Sequence, residues 1–452
     1  MKEKISQVFE EKGIMGFALK FQVYVKMKEP RMKFRWETEF KETEIGEIPR
    51  EWEVRKLGDL LRSLESGSRP KGGSLAHTPN GVLSIGGENI NWDGSLNIDE
   101  CLRFEESFYN RLKRGRIEEG DILLVKDGAT IGKLAFIKEV PEGKAMVNEH
   151  VFLLKSNNLK INPKFLFYFL FSEVGRQQIE SLIFGSAQGG INKSIQDNIL
   201  VFYPPLPEQS RIATVLSWFD DLIEVKKRQN EILEKTAMAI FKSWFIDFEP
   251  FRDGEFVYSE ELGKEIPKGW EVKKIGEIAE IIMGQSPPSK FYNEDGIGIP
   301  FIQGKGQLGK YTPQTTIFCS CDGKLARAYD ILLTVRAPVG ELNLADKEYI
   351  IGRGIASIRS NYWPFLFLYF NFNRELLKSL EKGTTYDAIV KEDIENLLIV
   401  IPPSHILQSF HSLVEPLFQK IILNQKQIMT LRKIRDTLLP LLVFGKLRIE
   451  EV

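Results

Sequence analysis

The stretch DGATIGKL at residues 127–134 is the part of the sequence closest to a catalytic motif. Its glycines and lysine resemble a loop that cradles nucleotide phosphates with backbone N–H groups. Gly128 to Lys133, however, spells G-x-x-x-G-K, one residue shorter than the required G-x-x-x-x-G-K, and Leu134 stands where Ser or Thr is required. A turn between the strand-like runs ILLV and LAFI explains the glycines better, so we predict no nucleotide site.

Histidine and cysteine, the usual metal ligands and nucleophiles, are few. The four histidines are His77, His150, His405 and His411. None lies in an H-E-x-x-H arrangement, and the pair formed by Cys319 and Cys321 has no partner pair at zinc-ligand spacing. The Asn/Asp-Pro-Pro-Tyr/Phe motif of amino-methyltransferases is also missing from the sequence. We therefore predict no catalytic residue and no metal site.

The composition is that of an ordinary globular protein, with 452 residues, 43% hydrophobic and 27% charged, and a formal net charge of −1. The length suggests two or more domains. Because so small a net charge provides no strong field for nucleic acid, any DNA binding must use local basic patches. Three cysteines argue against a disulfide framework, and no apolar run reaches the roughly 20 residues of a membrane span. The expected location is the cytoplasm.

One phrase occurs twice, as EIPREWEV at 47–54 and as EIPKGWEV at 265–272. A second likeness ends each copy, between DNILVFYPP at 197–205 and ENLLIVIPP at 395–403. The copies are offset by 218 residues at the first phrase and by 198 at the last, so the second copy is 20 residues shorter inside. The chain therefore contains an internal repeat of two similar modules.

Each module mixes short β-rich runs with helical runs. ILLV at 122–125 fits a strand, and the apolar runs in 163–184 and 364–382 fit helices. We predict an α+β fold with two similar α/β domains. The predicted division is an N-terminal segment 1–48, module one 49–204, a central helix 205–248, a linker 249–266, module two 267–402 and a C-terminal helix 403–452. Residues 1–31 are expected to be a loosely attached helix or to precede the natural start.

A long apolar seam follows each module, in alternating steps of four and three residues that are typical of a coiled coil. The first seam is Ile212, Leu216, Phe219, Ile223, Lys226, Asn230, Leu233, Ala237, Ile240 and Trp244. The second seam is Phe410, Val414, Leu417, Ile421, Asn424, Ile428, Leu431, Arg435 and Leu438. Pro416 is expected to kink or restart the second helix.

Sustained heptads need a partner, because one seam alone leaves an apolar stripe in water. We predict that the two helices form an antiparallel pair related by a pseudo-two-fold axis, with Asn230 and Leu417 roughly facing each other. Polar seam positions such as Lys226 and Asn424 can fix register and orientation, or face a second protein. The alternative is that each helix packs on its own module.

With these features, the sequence over about residues 40–452 resembles the specificity (S) subunits of type I restriction–modification systems. The resemblance lies in the IP-x-x-W opening of both modules, the PPLPEQ junction at 204–209 and the long helix after each module. DGATIGK at 127–133, RAPVG at 336–340 and KSWFIDFEPF at 242–251 also resemble motifs of this family. The second junction departs from the pattern and reads PPSHILQ.

The resemblance implies a non-catalytic DNA-recognition protein. Each module would be a target-recognition domain that reads one half of an asymmetric bipartite DNA site, and the helices would set the spacer and dock two modification (M) subunits. Reactions that use S-adenosylmethionine, ATP and Mg would belong to the M and restriction (R) subunits, with no cofactor in this chain. The alternatives are a self-contained DNA-modifying enzyme and a helical scaffold that binds no DNA.

Base reading needs polar side chains on loops, with basic groups on phosphates. Such loops recur at corresponding places in both modules with different chemistry, although any one of them could be a solvated turn. The candidates in module one are Ser68, Arg69, Lys71, Asn89, Asn91, Lys126, Lys133, Gln188, Asn192 and Lys193. The candidates in module two are Gln285, Ser289, Lys290, Gln303, Lys305, Arg336, Thr384, Thr385 and Tyr386.

Overall fold

The computed structural model describes residues 32–184, 189–379 and 388–451. The chain divides into two compact units, of which the second is Leu222–Met429 and the first is the remainder on either side of it. Each unit contains one sheet-rich module together with parts of both long helices. The predicted domain limits, which separate the helices from the modules, remain a prediction. None of the described helices is long and apolar enough to cross a membrane.

The first unit contains twelve of the described strands in its module and N-terminal segment. They are β1 (Met32–Trp36), β2 (Phe40–Lys41), β3 (Ile48–Pro49), β4 (Glu53–Lys56), β5 (Leu61–Ser66), β6 (Val82–Ile85), β7 (Leu102–Phe104), β8 (Ile122–Val125), β9 (Leu134–Phe136), β10 (Ala145–Val147), β11 (Val151–Ser156) and β12 (Leu200–Tyr203). The helices are α1 (Leu57–Leu60), α2 (Glu106–Arg111), α3 (Pro163–Phe171), α4 (Glu173–Ser181), α5 (Ile195–Asn198) and the part of the long α6 (Leu206–Phe245) that ends at Asp221.

The second unit has a similar order of elements, with thirteen described strands. Its strands are β13 (Phe256–Ser259), β14 (Lys264–Pro267), β15 (Glu271–Lys274), β16 (Glu280–Met283), β17 (Tyr292–Asn293), β18 (Ile299–Ile302), β19 (Phe318–Cys319), β20 (Leu325–Ala326), β21 (Ile331–Thr334), β22 (Leu342–Leu344), β23 (Tyr349–Ile351), β24 (Ile355–Arg359) and β25 (Leu398–Ile401). The helices are the rest of α6, α7 (Trp363–Phe372), α8 (Arg374–Ser379), α9 (Lys391–Glu395) and the part of the long α10 (Ser404–Val443) that ends at Met429.

The two modules share one scaffold. The antiparallel sheet β5-β11-β8-β9 of module one corresponds to β16-β24-β21-β22 of module two, and the pair β4–β12 corresponds to β15–β25. Each sheet contains an ion pair at the same place, Asp121 with Lys155 at 3.0 Å and Asp330 with Arg359 at 2.8 Å. Both aspartates are buried, and burial raises the pKa of Asp121. The predicted α+β class with an internal repeat is confirmed.

One apolar helix packs against each sheet. Helix α3 (PKFLFYFLF) is buried from Phe165 to Phe171 because its sequence is apolar on every side. Asn162 caps it, since its Oδ1 accepts hydrogen bonds from the backbone N–H groups of Lys164 and Phe165. Helix α7 (WPFLFLYFNF) has the same character in module two.

Both predicted long helices form, and each has 40 residues, but α10 ends at Val443 and the end of the predicted helix 403–452 is a strand instead. In the second unit, Asn424 of α10 bonds to Asn230 of α6, with 2.8 Å between Nδ2 and Oδ1. Phe410 packs on Phe245, with ring centroids 4.7 Å apart. Residue numbers rise along one helix as they fall along the other, so the pair is antiparallel. The seam residues of both helices are buried or half-buried.

Two details of the helix pair differ from expectation. Asn230 faces Asn424, seven residues beyond Leu417, so the expected facing of Asn230 and Leu417 was wrong. The sequence gives the midpoint of each seam, but it does not show which residues of the two seams face each other. The hydrogen bond between Asn230 and Asn424 selects that register. Helix α10 also continues through Pro416 without a restart, because seam neighbours such as Val414 are buried and hold it in place.

Both long helices also pack on module two within the second unit. There, Phe245 of α6 contacts Phe365 of α7 at 4.7 Å between ring centroids, and Phe418 of α10 contacts Trp363 at 5.4 Å. Helix α10 therefore packs on its own module as well as on α6, whereas this contact of α6 is to the other module.

The first unit joins the N-terminal part of the described chain to its C-terminal strand. Strand β1 pairs antiparallel with β26 (Leu447–Glu451). The guanidinium of Arg448 in β26 binds both carboxylate oxygens of Glu208 at the start of α6, and also binds Glu51 at 2.7 Å. Glu208 accepts a further hydrogen bond, at 3.1 Å, from Nε1 of Trp52, the tryptophan of the repeated phrase. Residues 1–31, predicted to be loosely attached, lie outside the described residues.

Candidate nucleic-acid interface

A turn leaves the central strand of each sheet at the same register position. In module one, Lys126 donates its backbone N–H to His150 O at 2.9 Å, directly after the paired residues Val125 and Val151. In module two, Val335 donates to Gly354 O, also at 2.9 Å. The next residues along each turn are Asp127 and Arg336.

In both modules a glycine begins the loop that follows the first strand of this sheet, β5 in module one and β16 in module two. A Cβ on Gly67 would lie 1.7 Å from Val147 O, and a Cβ on Gly284 would lie 2.2 Å from Gly352 O. Only glycine fits such close backbone approaches. The candidate loops 67–73 and 284–290 therefore start at equivalent positions beside the same strand ends.

Five module-one candidates line this region. Ser68, Lys71, Asn192 and Lys193 are exposed, and Asn192 Oδ1 accepts a hydrogen bond from the backbone of Ser194. Arg69 forms an ion pair with Glu149 at 3.2 Å. Since Ile191 donates its backbone N–H to Lys126 O at 2.7 Å, the loop that carries Asn192 lies against the turn after β8.

The turn itself forms a charged cluster in module one. Lys126 Nζ lies 3.5 Å from Asp127, and Asp127 contacts Nδ1 of His150. His150 Nε2 lies 3.3 Å from Glu149. Each basic side chain of the cluster thus contacts a carboxylate.

Asn89 was wrongly predicted as a base-reading residue. It is buried, and its Oδ1 accepts the backbone N–H of Gly86 at 2.9 Å. In module two, Gln307 Oε1 accepts the backbone N–H of Gly304 at 3.2 Å and closes the equivalent turn. The amide therefore closes a short 3₁₀ turn that both modules need.

Lys133 also needs correction. It is buried, and its Nζ lies 5.9 Å from the ring centroid of Trp92, so it is not presented to a phosphate.

Asn91 is exposed, but its Nδ2 donates to Ser95 Oγ at 3.1 Å within the same turn. Trp92 remains 55% exposed and offers a ring face that the sequence reading did not single out.

The module-two candidates within the described ranges are exposed. They are Gln285, Ser289, Lys290, Gln303, Lys305 and Arg336. Lys305 forms an ion pair with Glu341 at 2.8 Å, and this hydrogen bond lowers the pKa of Glu341. Lys290 Nζ lies 5.0 Å from the ring centroid of Phe291. Candidates Gln188, Thr384, Thr385 and Tyr386 lie outside the described residues.

Sequence reasoning missed Arg353, an exposed residue that follows β23 in module two. Arg336 and Arg353 flank the hydrogen bond between Val335 N–H and Gly354 O. In module one, Asp127 and Glu149 flank the equivalent hydrogen bond between Lys126 N–H and His150 O. Only the backbone hydrogen bonds reveal these pairs, because their members are 17 and 22 residues apart in sequence.

The sequence model of the type I restriction modification DNA specificity domain matches the chain twice, at residues 49–235 and 267–433. These two matches cover most of the chain. The chain belongs to the specificity (S) subunits of type I restriction–modification systems.

Other S subunits are similar over nearly their whole length. The type I restriction enzyme MjaIX specificity subunit of Methanocaldococcus jannaschii is 36% identical, covering 93% of this chain and 99% of that protein. The putative MjaX specificity subunit of the same organism is 33% identical with the same coverage. A crystal structure of the S subunit from M. genitalium covers 86% of this chain and 96% of that one, at 19% identity and a TM-score of 0.57, and so has the same fold.

An S subunit is the non-catalytic component of its system. Burial raises the pKa of the Cys101 thiol to about 12, so this cysteine is not a nucleophile at neutral pH. Within the described ranges, no three His, Cys, Asp or Glu side chains are grouped closely enough to hold a metal ion.

Proposed function

We propose that this S subunit reads a bipartite DNA sequence, one half with each module, while partner subunits carry out the chemistry. One observation carries the proposal: the two modules share a scaffold but expose different side chains on it. Equivalent loops open at Gly67 and Gly284, and equivalent turns follow β8 and β21, yet the exposed side chains differ. An asymmetric target, with two unlike half-sites, follows from this difference.

The chemistry of the exposed side chains supports DNA as the ligand. Lys71, Lys193 and Lys290 suit phosphate contacts, whereas Gln285, Gln303 and Arg336 suit base edges in the major groove. We infer that affinity from two such small patches is modest, because the net charge of −1 gives no general attraction to the phosphate backbone. Clamping by the partner subunits would supply the rest.

We further propose that the long helices set the spacer between the half-sites and dock the M subunits. Val225 on α6 and Leu423 on α10 occupy equivalent positions of the repeat, 198 residues apart. Both are large apolar residues and are 49% and 47% exposed. Apolar side chains exposed at matching points of two helices suit two copies of one partner. The predicted domain limits, 49–204 and 267–402 for the two recognition domains, remain part of this proposal.

Selection from a random DNA library tests the proposal. The full chain, mixed with its M subunits, should enrich a sequence with two specified parts and an unspecified gap. The chain alone, incubated with S-adenosylmethionine and DNA, should transfer no methyl group. Methyl transfer by the pure chain, or enrichment of no sequence, would contradict the proposal.

A further inference from the structure

Two arginines of module two flank one backbone hydrogen bond just beyond the end of a strand pair. Strands β21 and β24 pair in register up to Thr334 and Ile355, and Val335 then donates its N–H to Gly354 O at 2.9 Å. Arg336 follows Val335, and Arg353 precedes Gly354 in the turn closed by the hydrogen bond from Ile355 N–H to Gly352 O at 3.0 Å. The two arginines therefore flank the hydrogen bond between Val335 and Gly354.

This arrangement is unfavourable without a ligand. Two like charges on adjoining chain segments repel each other, most strongly at low salt. Both arginines are exposed, and within the part of the chain that the structure describes neither forms an ion pair. Lys305 of the same module, by contrast, is paired with Glu341. A paired set of unneutralised guanidinium groups is a surface that suits a ligand rich in hydrogen-bond acceptors.

The scaffold itself does not require positive charge here. At the same register position, module one has Asp127 and Glu149, with His150 in contact with both carboxylates. Module two has Gly354 in place of His150, so nothing equivalent stands between the two arginines. The backbone hydrogen bonds are the same in both modules, but the charge is reversed. This position therefore varies in chemistry on a constant frame, as a specificity-determining position should.

We propose that Arg336 and Arg353 read guanine in the half-site of module two, an inference that rests on the proposed DNA-reading function. The fork of a guanidinium donates two hydrogen bonds to O6 and N7 of guanine in the major groove. Lysine carries the same charge but lacks this fork, whereas a phosphate contact needs only the charge. Arginine-to-lysine exchange therefore distinguishes base reading from backbone binding.

The test is library selection with sequencing, using the full chain with its M subunits. The variants are Arg336→Lys, Arg336→Gln, Arg353→Lys and Arg353→Gln, and the control is Arg252→Gln, an exposed arginine in the segment after α6. Each variant at the two sites, lysine included, should lower the preference for guanine about 10-fold or more at one position. That position should lie in one half-site only, with the other half and the gap unchanged.

Other results would overturn the inference. If the lysine variants keep the guanine preference, and glutamine lowers affinity equally for all sequences with a smaller salt dependence, the arginines bind phosphate. If the unaltered chain selects a bipartite sequence without guanine in the half changed by these variants, the assignment is wrong although the proposed function stands. If it selects no sequence at all, the proposed function fails first.

A measurement without DNA checks the physical premise. Because Arg336→Gln and Arg353→Gln each remove a like charge from an exposed pair, both should raise the Tm at low salt, and the gain should shrink at high salt. A lower Tm in both variants would give the arginines a structural role and would overturn the inference.

Discussion

Asn424 donates a 2.8 Å hydrogen bond from Nδ2 to Oδ1 of Asn230, and both side chains are fully buried between α6 and α10. Lys226 Nζ lies 3.4 Å from Oδ1 of the same Asn424. Buried polar groups cost stability relative to leucine, and these two asparagines can bond to each other only in the register that brings them together. This contact therefore selects one antiparallel register among those that the apolar seam would allow.

The asparagine pair gives the first prediction. Asn424→Leu should lower the free energy of unfolding by about 1–3 kcal/mol, because Asn230 would remain buried without its partner. The double variant Asn230→Leu with Asn424→Leu should recover most of that loss. Urea unfolding of the single and double variants measures the coupling, and strictly additive effects would contradict the contact.

Arg448 gives a second prediction, for the first unit. Its replacement in Arg448→Met leaves Glu208 buried without its counterion and should cost about 3–5 kcal/mol. A matched control is Arg62→Met, which breaks an exposed pair with Glu118 and should cost at most about 1 kcal/mol. Thermal unfolding compares the two, and equal effects would show that the Arg448 network is not a stabilising centre.

The exposed apolar residues of the helices give a third prediction. Val225→Gln and Leu423→Gln should each weaken M-subunit binding about 10-fold while changing stability by less than about 0.5 kcal/mol. Lys235→Gln, an exposed change elsewhere on α6, serves as the control. Calorimetric titration with purified M subunit measures the effect. Unchanged binding in both variants would place the docking surface elsewhere.

Matched heptad insertions test whether the helices set the spacer. Seven residues inserted after Asn230 and seven inserted before Asn424 keep every seam contact in phase, because these points face each other. The added length of about 10.5 Å equals about three base pairs, with a rotation of about 100° between the half-sites. The selected gap should lengthen while affinity falls. A folded, binding variant with an unchanged gap would contradict the spacer role.

The sequence was sufficient for the fold and the repeat, because both follow from local signals. The phrase around Trp52 and Trp270, the runs of buried strands and the 4-3 spacing of the seams are all periodic features of contiguous residues. The register of the helix pair was not predictable in the same way. It depends on which buried polar side chains meet across two helices, and Asn230 could be matched with Asn424 only in three dimensions.

In the candidate interface, too, contacts between residues that are distant in sequence could not be predicted. The loops were identified because their glycines and polar residues recur, as at Gly67 and Gly284. The role of Asn89 was predicted wrongly because a sequence does not distinguish an asparagine that caps a turn from one that contacts a base. Arg353 was missed because only the hydrogen bond between Val335 and Gly354, residues distant in sequence, brings it near Arg336.

The most direct test of the account is a module exchange followed by mapping of methylated DNA. Residues 267–402 would be replaced by the corresponding module of the M. jannaschii relative that is 36% identical. Genomic DNA from cells that carry the chimera with its M subunit would then be sequenced for methylated motifs. We predict a bipartite motif in which one half has changed, while the other half and the gap are those of the original chain. A chimera that supports methylation with both halves altered, or with neither altered, would contradict the claim that each module reads its own half-site.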